Sequence, residues 1–125
     1  MRLLLDTSIL LRWVGSAGGV LPRMRDLIES ESNSIAYSPL SLWECRINEA
    51  KGRLPLPKDF LAVIRSKDFV ELGFAADHAN EVGLLPAIHS DPFDRGLVAQ
   101  ARFEELTILT EDRILAQHEV RIQMV

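Results

Sequence analysis

A short apolar run, Arg2–Leu5, is followed at once by an acidic residue, Asp6. A continuous apolar run of this length is typical of a strand that is buried on both faces of a parallel sheet. Similar runs recur at Ser34–Tyr37, Phe69–Leu72 and Thr107–Thr110, with helical patterns between them. We therefore expect an α/β domain with a mostly parallel central sheet of four to five strands. The fifth strand would be an edge strand.

Helical patterns separate the predicted strands. Ser38 and Pro39 are typical of a helix start, with serine as the N-cap and proline at the first helical position. A glycine-rich turn at 15–19 separates the first two helices. The predicted helices cover Thr7–Val14, Leu21–Ile28, Ser38–Lys51, Lys58–Arg65, Ala75–Leu84 and Phe93–Glu105, and the edge strand covers Val120–Met124. Since no linker, repeat or low-complexity segment interrupts this alternation, residues 1–125 are interpreted as a single domain.

Charge and cysteine content narrow the class of protein. The 125 residues carry a net charge of −4, whereas domains that bind phosphates non-specifically are usually strongly basic. The single cysteine, Cys45, excludes a disulfide framework and is expected to be an inert buried thiol. Asp6 and Arg12 interrupt the N-terminal apolar runs too early for a signal peptide or a membrane span. We expect a cytoplasmic protein with no membrane association.

Acidic side chains recur close to the carboxyl ends of the predicted strands, where open α/β sheets bind their ligands. Converged carboxylates repel one another unless a cation neutralises them. Oxygen ligands without a histidine or cysteine cluster favour Mg²⁺ or Mn²⁺ over Zn²⁺. A metal held in this way can activate water for attack on a phosphodiester, which is nuclease chemistry. The acidic residues concerned are Asp6, Glu44, Asp91, Asp94 and Asp112.

Four motifs follow one another in the order seen in PIN domains: Leu3–Ser8, Ser38–Glu44, His89–Ala101 and Leu109–Asp112. Their combination is specific, although no single motif is. The chain resembles the PIN domain family and, more closely, the VapC-type ribonuclease toxins of prokaryotic toxin–antitoxin pairs. This resemblance spans nearly the whole chain.

The resemblance implies a three-layer αβα fold and a metal-dependent endoribonuclease. Carried over position by position, Asp6, Glu44, Asp94 and Asp112 match the acidic quartet of the family, and Asp6 and Asp94 match its direct metal ligands. Asp91 is an additional candidate. The resemblance also implies a homodimer and a cognate antitoxin whose basic side chains would suit an acidic cleft.

Structural roles compete with these functional ones. Asp6 can cap the following helix, and Glu44 fits a capping box that starts at Ser41. Asp91 lies three residues before Asp94, so it can either face the same way or cap the helix. Asp112 can cap a short helix over 113–116.

Other polar and aromatic residues lie close to the motifs. Arg12, Arg95 and Arg113 are the nearest basic residues and are weak candidates for holding phosphate, because each can instead pair with a carboxylate. His89 suggests a general base, yet a lone histidine before a helix is more often structural. Trp13 and Trp43 are interpreted as anchors of the core or of a dimer surface.

Two alternative functions remain open: a non-catalytic PIN-like module that acts through a partner, and a nuclease that acts on DNA. Only the resemblance favours RNA, since the contacts that recognise a 2′-hydroxyl are not visible in the sequence. Three phosphate-handling classes are disfavoured. Aspartate-phosphorylated receivers need a late lysine, but the last one here is Lys67; haloacid-type phosphatases need an acid at Ser8; and the glycine-rich turn lacks the Lys-Ser or Lys-Thr of a phosphate loop.

Overall fold

The computed structural model describes residues 1–16 and 18–125. Within these ranges, short strands alternate with helices. The strands are β1 (Arg2–Leu5), β2 (Ser34–Tyr37), β3 (Val70–Glu71), β4 (Thr107–Thr110) and β5 (Arg121–Met124). The helices are α1 (Thr7–Trp13), α2 (Pro22–Glu29), α3 (Pro39–Ala50), α4 (Phe60–Arg65), α5 (Ala76–Val82) and α6 (Pro92–Glu104), and a 3₁₀ turn covers Leu115–Gln117. The predicted glycine-rich turn includes Ala17, which lies outside the described residues.

The five strands form one sheet in the order β3-β2-β1-β4-β5. Every neighbouring pair is parallel, so the predicted parallel sheet and its fifth edge strand are confirmed. Leu4 in β1 lies between Ala36 of β2 and Ile108 of β4. A strand with neighbours on both sides and helices on both faces has no exposed surface, which explains its continuous run of leucines.

Alternate residues of the strands divide the core into two layers. Leu3 and Leu5 pack with residues of α1 to α4 on one face of the sheet. Leu4 packs on the opposite face with α6 and with Val82 of α5. This division follows from the two-residue repeat of a strand. The result is the three-layer αβα arrangement that the resemblance implies.

Where element boundaries differ from the sequence expectation, they differ by one or two residues. Helix α6 begins at Pro92 rather than Phe93, because Asp91 provides the N-cap and proline is well suited to the first helical position. The edge strand β3 contains only Val70 and Glu71, and both are exposed. No helix in the described ranges has the length and apolar character needed to cross a membrane.

The order of the strands in the sheet determines where a crevice for a ligand can open. Strand β1 is continued on one side by β2 and β3, whereas β4 and β5 are added on the other side. The connections therefore leave β1 and β4 in opposite directions, which opens a crevice at their carboxyl ends. Asp6 directly follows β1 and Glu111 directly follows β4, so acidic residues stand at both strand ends.

Candidate active site

A cleft of about 490 Å³ opens at the carboxyl ends of β1 and β4. We call it the acidic cleft. All five acidic residues singled out in the sequence line it, together with one further acid, Glu111. Its lining residues are Asp6, Thr7, Ser8, Leu11, Glu44, Asn48, Asp91, Asp94, Glu111 and Asp112. The fold thus brings together side chains that are more than 100 positions apart in the chain.

Asp6 combines a structural contact with a position in the cleft. It is the N-cap of α1, and its Oδ1 accepts a hydrogen bond of 2.8 Å from the amide of Thr7. Its Oδ2 accepts a second bond of 2.6 Å from the hydroxyl of Thr110 in β4. Burial raises the pKa of Asp6, although these two bonds oppose the shift. The carboxylate is therefore held rigidly between two elements.

Glu44 projects from α3, which begins earlier than a capping box at Ser41 would require. Ser38 is the N-cap, and its hydroxyl accepts from the amide of Leu40. Ser41 is buried inside the helix and accepts a 2.9 Å bond from the Thr7 hydroxyl, so the capping-box interpretation of Glu44 is wrong. Burial raises the pKa of Glu44, and the charges of Asp91 and Asp6 raise it further.

Asp91 and Asp94 lie at the start of α6. The Asp91 Oδ1 accepts from the amide of Phe93 at 2.9 Å and from that of Asp94 at 3.2 Å, so Asp91 caps the helix while lining the cleft. Burial and the neighbouring charges, Asp6 first among them, raise the pKa of Asp94 to about 7. Both burial and the surrounding carboxylates therefore favour the neutral form of Asp94.

Asp112, like Asp91, both caps a turn and lines the acidic cleft. Its Oδ1 accepts a 2.9 Å bond from the amide of Ile114, as a turn cap does, and its own amide donates to the Thr110 hydroxyl. The predicted short helix over 113–116 is instead a 3₁₀ turn that begins at Leu115. The competing structural and functional roles of Asp6, Asp91 and Asp112 are therefore compatible, because one carboxylate has room for several partners.

A family model described as PIN domain matches residues 3–120. The chain belongs to the PIN domain family. A search for curated relatives found no match.

Solved structures share the same architecture. A chain of VapBC2 from Rickettsia felis, bound to a promoter DNA fragment, is 16% identical, with 99% of this chain and 98% of that chain covered and a TM-score of 0.73. A chain of DNA-bound VapBC from Salmonella typhimurium is 17% identical, with the same coverages and a TM-score of 0.71. A chain of VapBC-5 from Mycobacterium tuberculosis, a toxin–antitoxin system, is 18% identical, covers 99% of this chain and 97% of its own, and has a TM-score of 0.62. At these identities the likeness shows the fold.

The donor set of this PIN domain fits a hard divalent cation. It consists of carboxylate oxygens, with the threonine and serine hydroxyls beside them. The carboxylates raise one another's pKa, which a cation between them would reverse. Within residues 1–16 and 18–125, no three metal-ligating side chains already surround a common point.

The three candidate arginines of the PIN domain have different surroundings. Arg12 pairs with Glu111 across 2.9 Å and also donates to the carbonyl of Gly19. Arg113 is exposed beside Asp112. Arg95 donates to four backbone carbonyls at the end of α5 and in the loop before α6, those of Val82, Leu85, Pro86 and His89. Arg95 therefore secures a loop, and Arg12 is the one of the three that contacts an acid of the cleft.

An apolar groove of about 300 Å³ lies beside the acidic cleft. Trp43 is 61% exposed there and meets the ring of Phe93 edge-on at 5.3 Å. The groove is lined by Leu40, Trp43, Phe74, Ala79, Val82, Pro92, Phe93 and Gly96. Trp43 is thus a surface residue, whereas Trp13 packs on the core near Phe69. Cys45 is fully buried, and burial raises the pKa of its thiol to about 12.

Sequence reasoning misses two features of the site, the acid Glu111 and the contact between His89 and His118. Glu111 is not selected from the sequence, because its neighbour Asp112 matches the family motif. Glu111 nevertheless directly follows a strand, which is the same signal that selects Asp6. The sequence presents His89 as a lone histidine, whereas His118 lies against it with a nitrogen–nitrogen distance of 2.9 Å. The two histidines are 29 positions apart, and no local pattern connects them.

Proposed function

We propose that this PIN domain is a metal-dependent endoribonuclease and the toxin of a toxin–antitoxin pair. The observation that carries the proposal is the convergence of Asp6, Glu44, Asp94 and Asp112 in one cleft at the switch point of the sheet. Such a cluster is costly for a folded protein, so a functional need for it is the economical explanation. Membership of the PIN family and the likeness to VapBC chains support this choice.

Asp6 and Asp94 would be the direct ligands of Mg²⁺ or Mn²⁺, with Glu44 and Asp112 assisting. The bound ion would neutralise the carboxylates and activate water for attack on a backbone phosphorus. The chain's own contribution is to hold the ligands: Thr110 and the Thr7 amide fix Asp6, and the Asp91 cap fixes the first turn of α6. In-line hydrolysis would leave a 5′-phosphate and a 3′-hydroxyl.

An antitoxin is the partner that suits this surface. The acidic cleft on a chain of net charge −4 would attract a basic segment, such as one that inserts an arginine. The M. tuberculosis neighbour is itself described as a member of a toxin–antitoxin family. Copurification from the native host tests the partner: a chain recovered alone and fully active, without affinity for the product of the adjacent gene, would contradict the toxin role.

We also propose that a second copy of this chain covers the apolar groove. Exposed aromatic residues grouped with other apolar side chains mark association surfaces. The groove adjoins the acidic cleft through Phe93 and Asp94, which are consecutive on α6. A homodimer formed there would leave the cleft itself open to substrate.

Cleavage assays test the nuclease directly. Transfer RNA, ribosomal RNA fragments and single-stranded DNA are each incubated with Mg²⁺ or Mn²⁺ and the wild type, Asp94→Asn or Asp26→Asn. Asp26 is an exposed acid on α2 and provides the same chemical change outside the cleft. We expect metal-dependent RNA cuts by the wild type and Asp26→Asn, and none by Asp94→Asn.

Three other results would redirect the proposal. Cuts in DNA alone would favour a DNA-directed nuclease. Wild-type turnover by Asp94→Asn would contradict the assignment of the acidic cleft as the active site. Absence of both cleavage and metal binding in the wild type would favour a non-catalytic PIN-like module.

A further inference from the structure

Two histidines contact each other beside Asp94, one of the acids that line the acidic cleft. His89 lies in the segment between α5 and α6, and His118 follows the 3₁₀ turn. The His118 Nε2 and the His89 Nδ1 are 2.9 Å apart, and the two rings meet edge to face at 4.9 Å. His118 is 4% exposed, and the side chain of His89 is 16% exposed. The pair is therefore shielded from water.

The second nitrogen of His89 faces the acidic cluster. Its Nε2 lies 3.4 Å from the Oδ2 of Asp94. This distance is slightly beyond that of a normal hydrogen bond, and within the described part of the chain the Nε2 has no hydrogen-bond partner. A buried ring nitrogen without a partner is uncommon in folded proteins and calls for an explanation. Asp94 is the acceptor within reach.

The surroundings of His118 decide which ring nitrogen of each histidine carries the proton. A neutral imidazole has one N–H donor and one acceptor nitrogen. Burial lowers the pKa of His118, which favours its neutral form. The His118 Nδ1 is also buried and, among the described residues, has no partner, so a proton there would be an orphaned donor. The proton of His118 therefore belongs on Nε2, where it is donated to the Nδ1 of His89.

This order determines the tautomer of His89. Because its Nδ1 accepts, the single proton of a neutral His89 lies on Nε2 and is directed at Asp94. Above pH 7, where Asp94 is ionised, the opposite order would place a nitrogen lone pair against its carboxylate. The backbone of His89 is held as well, since Arg95 donates to its carbonyl at 3.3 Å. Both the ring and the main chain of His89 are thus fixed.

We propose that His89, oriented by His118, is a positioning residue for Asp94. Its Nε2–H donates to Oδ2 of the ionised carboxylate and leaves the other oxygen for a divalent cation. Partners of this kind orient metal-ligating carboxylates, and their removal typically costs about 10- to 100-fold in metal affinity or activity. The inference rests on the proposed metal site, and it assigns a role to two residues outside the acidic quartet.

Mn²⁺ alone is the probe, with free Mn²⁺ measured by electron paramagnetic resonance. We expect His89→Phe to weaken Mn²⁺ binding by about 10-fold or more. His89→Gln retains a side-chain N–H donor, so it should restore most of the affinity. His118→Phe should have a smaller effect in the same direction, because it removes only the group that orients His89.

His78→Gln is the matched control. His78 is buried and also contacts a carboxylate, that of Glu104, with its Nε2 at 2.9 Å, but it does not line the acidic cleft. Its replacement should leave Mn²⁺ affinity unchanged. Long-range ¹H–¹⁵N spectra of the metal-free wild type at pH 8, where Asp94 is ionised, provide a second readout, in which His89 and His118 should both carry their proton on Nε2.

The outcomes separate this inference from the proposed function. A folded His89→Phe variant with wild-type Mn²⁺ affinity would overturn the positioning role while leaving the metal site intact. Binding by His89→Gln as weak as that of His89→Phe would overturn it too. Should His89→Phe not fold, a proton on Nδ1 of His89 in the wild type would overturn the inference. Failure of the wild type to bind Mn²⁺ would instead remove the proposed function and the inference with it.

Discussion

At the scale of single residues, Asp94 shows how much stability is lost when a carboxylate is ionised in a buried position among other carboxylates. Its side chain is 17% exposed, and burial together with nearby carboxylates raises its pKa to about 7. In the unfolded chain its pKa would be close to the ordinary value near 4. Between these two values the folded state retains a proton that the unfolded state has lost. Without metal, the contribution of Asp94 to stability is therefore lost progressively as pH rises from about 4 to about 7.

Asp94→Asn removes this penalty because asparagine is neutral at every pH. We expect the variant to melt above the wild type at pH 8, by roughly 4 °C for each kcal/mol of burial and repulsion penalty relieved. At pH 5, only about one unit above the pKa of the unfolded chain, the difference should be smaller than at pH 8, because less of the penalty is present. Differential scanning calorimetry of the metal-free proteins at both pH values measures it, with Asp26→Asn as the control. Equal melting temperatures at pH 8 would show that the cluster is not strained.

At the scale of elements, the helix starts could be predicted because capping is local. Ser38-Pro39 before α3 and Asp91-Pro92 before α6 are both N-cap and first-turn pairs, and the structure confirms the start predicted at Pro39. The expected start of α6 is one residue late, since Asp91 has two competing roles in the sequence. The packing of α6 on α5 and the sheet could not be inferred, because it depends on residues far apart in the chain.

Asp91→Ala tests the cap of α6. Loss of the two bonds to the amides of Phe93 and Asp94 should make Asp91→Ala less stable than Asp91→Asn by about 1 kcal/mol, since both variants remove the same charge from the cleft. Asp91→Asn keeps a side-chain oxygen for the same amides and should retain most of the stability. Urea denaturation of the three proteins gives the comparison. If Asp91→Ala were as stable as Asp91→Asn, the cap would contribute nothing, and the interest of Asp91 would lie in the cleft alone.

At the scale of the whole molecule, the acidic cleft and the apolar groove share the start of α6. Asp91 and Asp94 face the cleft, whereas Pro92 and Phe93 line the groove. A single helical turn therefore contributes side chains to both surfaces. The order of the strands places the acidic cleft there, since it puts the switch point between β1 and β4.

Trp43→Glu tests the groove as a homodimer surface. Because Trp43 is 61% exposed, its replacement should leave the fold intact. We expect the wild type to sediment as a dimer and the variant as a monomer in analytical ultracentrifugation, since a buried unpaired charge opposes association. Arg46→Glu on the same helix is a charge-changing control that lies outside the lining of the groove. A wild type that stays monomeric, or a variant that stays dimeric, would contradict the proposed interface.

The sequence by itself determined what depends on neighbouring residues. The buried strands follow from continuous apolar runs, the helix starts follow from capping pairs, and Asp6 and Asp112 follow from their positions after strands. Only the tertiary structure decided contacts between distant segments: Arg12 with Glu111 and His118 against His89. Periodicity and capping act over a few residues and leave a local pattern, whereas these contacts depend on how the layers pack and leave none.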